Sequence, residues 1–225
     1  MEMNMENPPN RYRYERKYKL NIEEYDSLIN ALYEEGMIVS YPTRQVNNLY
    51  FDTLMLDSYF ENVEGISERN KYRLRWYGER FNTIDPIFEI KIKRDAVNIK
   101  QVIKIDSIKF KDLFEIDEIF NHVVNNIETS NGAVYIEMLS KIPTLLNGYQ
   151  RDYFETNDRK IRLTIDKDIY YYNCINQQEY NAEEVMIVEV KYPSKETPRL
   201  NFDRFKLNIG KSSKYVSGLN FTKDI

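Results

Sequence analysis

Lys71-Tyr-Arg-Leu-Arg-Trp-Tyr-Gly78 decides the fold. Aromatic and charged residues alternate along it and a glycine closes it, which predicts a β-strand. Successive strand side chains point to opposite faces, so Lys71, Arg73 and Arg75 share one face while Tyr72, Leu74 and Trp76 share the other. The second face can bury against a core. The first is a row of cations.

The pattern recurs on both sides of this stretch. Upstream, Arg11 to Leu20 sets Arg13, Glu15, Lys17 and Lys19 against Tyr12, Tyr14 and Tyr18, and Gln45 to Thr53 reads as a second strand. Downstream, Pro86 to Arg94 sets Glu89, Lys91 and Lys93 against Phe88, Ile90 and Ile92. Asn98 to Asp106 sets Lys100, Val102 and Lys104 against Ile99, Ile103 and Ile105. Leu146 to Thr156 groups Arg151, Tyr153 and Glu155, and Lys160 to Asp166 groups Lys160, Arg162, Thr164 and Asp166. Asp168 to Tyr172 reads as a short separate strand, and Val185 to Tyr192 places Glu189 and Lys191 opposite Val188 and Val190.

Helical signals lie between these runs. Asn21 and Glu24 form a capping box that opens a helix to about Glu35, with Gly36 as its C-terminal stop. A short turn or helix is expected around Leu54 to Phe60. Ser107 to about Ile127 reads as one or two helices, Ala133 to Ser140 as another, and Pro198 to Leu207 as a last one. The insertion 107–141 suggests packing or oligomerisation and no chemistry. A tail, Gly210 to Gly218, follows.

Composition narrows the class. The chain has 225 residues, 42% hydrophobic and 30% charged, with 19 tyrosines and only seven glycines, which favours a soluble, sheet-rich protein. With no linker visible, a single domain over 11–225 after a flexible segment 1–10 is expected. The net charge of −4 gives no reason for bulk nucleic-acid binding, although a cleft can still be strongly positive. Cys174 is the only cysteine and His122 the only histidine, so a histidine-based metal site or a Ser-His-Asp triad is hard to build. No signal peptide or membrane span is visible, and a cytoplasmic location is expected.

Strand by strand, one solvated face of an antiparallel sheet would explain the alternation. The charged faces, however, are rich in cations with isolated acids, and amphipathic helices stand ready to cover the apolar ones. The expected fold is therefore α+β: an antiparallel eight-stranded β tunnel, or barrel, with a cationic lumen and flanking helices. Such a lumen needs a polyanion, because unpaired buried cations are costly. Arginine offers bidentate forks to phosphate and lysine point charges, while isolated carboxylates suit a divalent cation shared with phosphates. No Walker A sequence is present, so side chains would form the cradle.

The runs RYERKY, NLYFDT, KYRLRWYG, FEIKIKR, YQRDYFE, KIRLTID, IVEVKY and SSKYVSG occur in this order between Arg11 and Gly218. In them the chain resembles the VTC domain, the polyphosphate polymerase member of the triphosphate tunnel metalloenzyme (CYTH-like) superfamily. The resemblance implies a phosphotransferase that moves the terminal phosphoryl group of ATP onto polyphosphate with Mn²⁺ or Mg²⁺. It implies phosphate ligands at Lys17, Arg73, Arg75, Lys91, Lys100, Arg151 and Arg162, with Lys93 a possible addition. Glu189 would hold the metal, and Lys211, Ser213 and Lys214 would close the site. Hydrolytic relatives carry Glu-x-Glu-x-Lys on the first strand; here Arg13, Glu15 and Lys17 stand there. Glu15 is open to two readings, a second metal or water ligand, or an ion-pair partner of a tunnel arginine. A triphosphatase of the same fold and a non-catalytic polyphosphate-binding module remain alternatives. Relatives work within membrane assemblies, so the resemblance also admits a membrane-protein partner.

Overall fold

The computed structural model describes residues 14–95, 97–193, 208–209 and 213–222. In chain order the strands are β1 (Tyr14–Asn21), β2 (Met37–Asp52), β3 (Arg69–Tyr77), β4 (Asn82–Ile84), β5 (Ile87–Arg94), β6 (Val97–Lys104), β7 (Ile108–Phe110), β8 (Ile142–Thr156), β9 (Arg162–Asn173), β10 (Glu179–Ala182), β11 (Val185–Tyr192) and β12 (Asn208–Ile209). The helices are α1 (Tyr25–Glu34), α2 (Asp57–Glu64), α3 (Ile116–Ser130), α4 (Gly132–Met138) and α5 (Lys214–Thr222). The residues fall into two compact units, Met1–Thr43 with Arg151–Lys167 and Glu183–Ser212, and Arg44–Gln150 with Asp168–Ala182 and Ser213–Ile225.

The first unit has the strand order β12-β1-β11-β9. The β1–β11 and β11–β9 ladders are antiparallel, and Lys17 stands opposite Glu189, which stands opposite Thr164. The capping box is present: Asn21 Oδ1 accepts from the Glu23 amide at 3.1 Å, and Glu24 accepts from the Asn21 amide at 3.2 Å. It opens a single 3-10 turn, Ile22–Glu24, that leads into α1. Leu28, Ala31 and Leu32, spaced three and one apart, face inward on α1. They pack on Tyr18, Leu20, Leu163, Ile165, Val188 and Val190, the apolar sides of β1, β9 and β11. Gly36 ends the helix with φ +74°, a backbone conformation most residues avoid.

The second unit has the order β8-β2-β3-β5-β6, with β10 paired to the end of β9 and β4 to β7. Tyr72, Leu74 and Trp76 are buried, as their alternation predicts, among Leu49, Phe51, Phe88 and Ile90. The inner face of α3, Ile116, Ile119, Val123 and Ile127, covers them at helical spacing. Ile103 and Ile105 follow the predicted burial, but Ile99 is half exposed on the outermost strand β6. Cys174 packs against this core, and burial pushes its thiol up to about 12.

Setting aside the short β10 and β12, the two strand orders contain the eight strands expected, and α1, α3 and α4 lie on the apolar sides. Some boundaries differ. The runs 160–166 and 168–172 form one strand, β9, which continues through Asp168 at φ +51°. Residues 108–110 are a strand paired with β4 and not the start of a helix, because Phe110 is needed in the core beside Trp76. Residues 198–207 and 1–10 lie outside the described residues.

The expected tail is partly helix α5. Asp52 explains its anchorage. This buried carboxylate accepts the Ser58 and Tyr59 amides at 2.9 and 3.0 Å, fixing the start of α2, and the Tyr215 hydroxyl of α5 at 2.6 Å. Gly218 lets α5 approach: a Cβ there would meet the Leu145 and Tyr171 side chains at 2.5 and 2.4 Å. Both neighbours are fully buried and cannot move far. Gly218→Ala should therefore destabilise by about 1–3 kcal/mol in urea unfolding, despite the roughly 1 kcal/mol that alanine gains in a helix. An unchanged or raised midpoint would show that α5 is not tightly seated.

Candidate functional site

In the second unit the charged face of the sheet centres on Glu89. The residue is 4% exposed, and its register partner on β3 is Arg73. Arg73 Nε donates to Glu89 Oε2 at 2.7 Å, Arg75 Nη1 stands 3.9 Å from the same oxygen, and Lys100 pairs with Oε1. Burial opposes the charge of Glu89, but Arg73, Arg75 and Lys100 outweigh it and lower its pKa from 4.5 to about 2. Beside this cluster Lys71, Lys91 and Lys100 stand directly opposite one another on β3, β5 and β6. Like charges in that register repel. Lys71 Nζ donates to Ser213 Oγ at 3.1 Å, and Lys214 lies over the Tyr149 ring at 4.5 Å. Lys93 stands one alternation further along β5, opposite Arg69 and Asn98.

In the first unit the charged face carries a second cluster. Glu189 receives Lys191 at 2.6 Å and Lys17 at 3.3 Å; Glu15 receives Lys17 at 3.2 Å and Lys191 at 3.9 Å. Two carboxylates and two ammonium groups thus alternate. Burial works against the charge of Glu189, and Lys17, Lys191 and Arg151 overcome it, holding its carboxyl well below the usual range. Lys17 shows the converse: burial lowers its pKa, and Glu189 and Glu15 more than restore it. Arg151 forms a two-pronged pair with buried Asp166, Nε to Oδ1 at 2.5 Å and Nη2 to Oδ2 at 2.7 Å. Arg162 is more exposed and stands 3.9 Å from Glu155.

The structure thus brings Arg73, Arg75, Lys91, Lys100, Ser213 and Lys214 into the second unit, and Lys17, Glu15, Glu189, Arg151 and Arg162 into the first. Lys211 lies outside the described residues. Among the described residues Glu15 pairs with Lys17 and Lys191. Glu89, Asp166, Lys71 and Lys191 complete these clusters although sequence reasoning gave them no role. All four sit on the predicted charged faces, so the alternation itself was the signal.

Among the described residues no group of three or more His, Cys, Asp and Glu side chains is arranged to hold a metal. Glu189 and Glu15 are nonetheless suitable donors for a hard divalent cation, which takes one or two carboxylates and completes its shell with phosphate oxygens. Glu189 is ionised throughout the neutral range, as such a ligand must be.

The VTC domain matches residues 12–223. The chain belongs to the VTC domain family. No curated protein matches it in sequence. Among solved structures it is similar to a candidate adenylate cyclase from Bacillus halodurans, 15% identical, with 90% of this chain and 94% of that one covered and a TM-score of 0.53. It is also similar to a candidate adenylyl cyclase from Hippeastrum described as having a dominant triphosphatase activity, 13% identical, covering 92% and 96% of the two chains with a TM-score of 0.52. At such identities these likenesses bear on the fold alone. With the family match they make the fold α+β and of the tunnel type. No helix among the described residues is long and apolar enough to cross a membrane.

The depressed pKa of Glu89 has a consequence for acid stability. A carboxyl held lower in the folded chain contributes stability above its unfolded pKa and loses it as pH falls toward the folded value. Between about pH 4.5 and 2, wild type should lose on the order of 2–3 kcal/mol that Glu89→Gln does not lose. Urea midpoints measured at pH 5 and pH 2.5 check this, and parallel profiles for the two proteins would contradict it.

Proposed function

We propose that this VTC-domain protein is a metal-dependent phosphotransferase that adds the terminal phosphoryl group of ATP to a polyphosphate chain. The observation that carries the reading is the cross-strand row Lys71, Lys91 and Lys100 beside Arg73 and Arg75. Cations in such register gain stability from a ligand with repeated negative charge, and a polyphosphate has that form. Family membership supports a reaction on triphosphate or polyphosphate.

Phosphoryl transfer needs in-line positioning and neutralisation of the equatorial oxygens more than covalent participation by the protein. Arg73, Arg75, Lys91 and Lys100, with Lys93 as an addition, would bind phosphate oxygens, and Ser213 and Lys214 would close over them. Lys17, Arg151 and Arg162 would play the same part on the charged face of the first unit. Glu189, with Glu15 as second donor, would hold Mn²⁺ or Mg²⁺, whose chemistry is to polarise the transferring phosphate. Lys17 and Lys191 hold Glu189 ionised and, being paired with both carboxylates, would hand them over to the metal. The acceptor is orthophosphate or a polyphosphate end, so no protein nucleophile is required. Ser213 bonds to Lys71, which suits a hydrogen-bond donor to phosphate.

A triphosphatase is the second reading, favoured by the activity described for the Hippeastrum structure. Its acceptor would be water. The two readings part on product. Purified protein incubated with ATP and Mn²⁺, with and without a short polyphosphate primer, should give long chains on a gel. Glu189→Gln and Arg75→Ala should each lower the rate about 10²–10³-fold, by analogy with loss of one electrostatic donor. Orthophosphate as sole product, lost in both variants, would make the protein a triphosphatase. Tight polyphosphate binding without turnover would make it a binding module.

A further inference from the structure

Arg75 starts a buried hydrogen-bond chain whose far end has no partner. Its Nε donates to Asn48 Oδ1 at 2.8 Å, and Asn48 Nδ2 donates to Asn147 Oδ1 at 2.9 Å. Both asparagines are completely buried, on β2 and β8 of the second unit. The direction of the chain is fixed by chemistry. An arginine can only donate, so Asn48 must present its oxygen to Arg75 and its nitrogen to Asn147. Asn147 must then accept, which leaves its Nδ2 as the terminus. No rotation of either amide removes this result. Asn147 Nδ2 has no hydrogen-bond partner among the described residues.

An amide left buried and unpaired is costly, so a built chain ending in one implies an acceptor in the functioning protein. The neighbouring Asn47 provides the contrast. It is equally buried, yet it accepts from Tyr170 at 2.8 Å and donates to the Gly78 carbonyl at 3.0 Å. Asn48 and Asn147 are tied instead to Arg75, whose guanidinium stands beside Glu89.

We propose that Asn147 is a further ligand of the polyanion, its Nδ2 donating to an unesterified phosphate oxygen, and that Asn48 is the positioning residue that couples this donor to Arg75. The proposal rests on the function proposed above. A neutral donor adds something the cations do not: it binds an oxygen directionally without adding to the repulsion among them. Its energy also depends on the orientation of Arg75, because Asn48 grips both.

The experiment uses the full chain labelled with ¹⁵N, the Asn147 side-chain amide assigned through the backbone, and inorganic tripolyphosphate as probe. Titration should shift the two Asn147 amide protons with the same saturation curve that calorimetry gives for binding. Asn147→Asp keeps the acceptor for Asn48 but replaces the donor by an anion. It should weaken tripolyphosphate binding roughly 10- to 100-fold, the range for a hydrogen bond to a charged oxygen. If wild type binds while the Asn147 amide stays unmoved, water or nothing occupies the terminus and the proposal is overturned, with the proposed function intact. Equal affinity of the folded Asn147→Asp variant overturns it in the same way. If wild type does not bind tripolyphosphate at all, the function reading fails and this inference falls with it. The amide titration is read on wild type, so a variant that does not fold leaves that decision in place.

Discussion

Glu89 is the contact on which the charged face of the second unit depends. Three cations reach it from β3 and β6, and a carboxylate so placed balances part of their mutual repulsion. It cannot balance all of it: one anion faces three cations. The surplus has a direct bearing on function. A sheet that only needed a solvated face would gain more from mixed charges and hydroxyls, whereas one that binds a polyanion keeps an excess for the ligand to neutralise. The first unit is balanced differently, with two carboxylates against Lys17 and Lys191, and there the acids are the groups of interest.

Positioning comes from the opposite side of the same strands. Because side chains alternate, the aromatic and aliphatic residues that α1 and α3 cover also fix where the charged residues stand. Tyr72, Leu74 and Trp76 are buried, and this seats Arg73 and Arg75 between them along the strand. Asp52 extends that control to the C-terminal helix. It fastens Tyr215, and the adjoining Ser213 and Lys214 are thereby held near Lys71 and Tyr149. Precision on the charged faces is thus inherited from the core.

Much of this was legible in the sequence. Residues 71–77 gave strand, faces and cation row together, since each is a consequence of period two. The capping box at Asn21 marked α1 because its two hydrogen bonds are local. What was not legible depends on tertiary contacts. Helix α5 was hidden by Gly218, a poor helix former required by its approach to Tyr171 and Leu145. Strand β9 appeared broken because Asp168 adopts a left-handed backbone conformation that only the assembled sheet maintains. Glu89 was visible as a member of the charged face but not as its hub, since partners across strands depend on register. Asn147, in Leu-Leu-Asn-Gly, carried no signal at all; its importance lies in a chain of bonds to residues nearly one hundred positions away.

The partial burial of Cys174 has a practical consequence of another kind. With its proton held to about pH 12, almost none of it is thiolate at neutral pH, and thiolate is the form that alkylating reagents attack. The chain has no other cysteine. A cysteine introduced on an exposed position would therefore react ahead of the half-buried native residue. The fold supplies a low background for site-specific spectroscopic labelling, and pairs of such labels placed on the two units would report the distances between them.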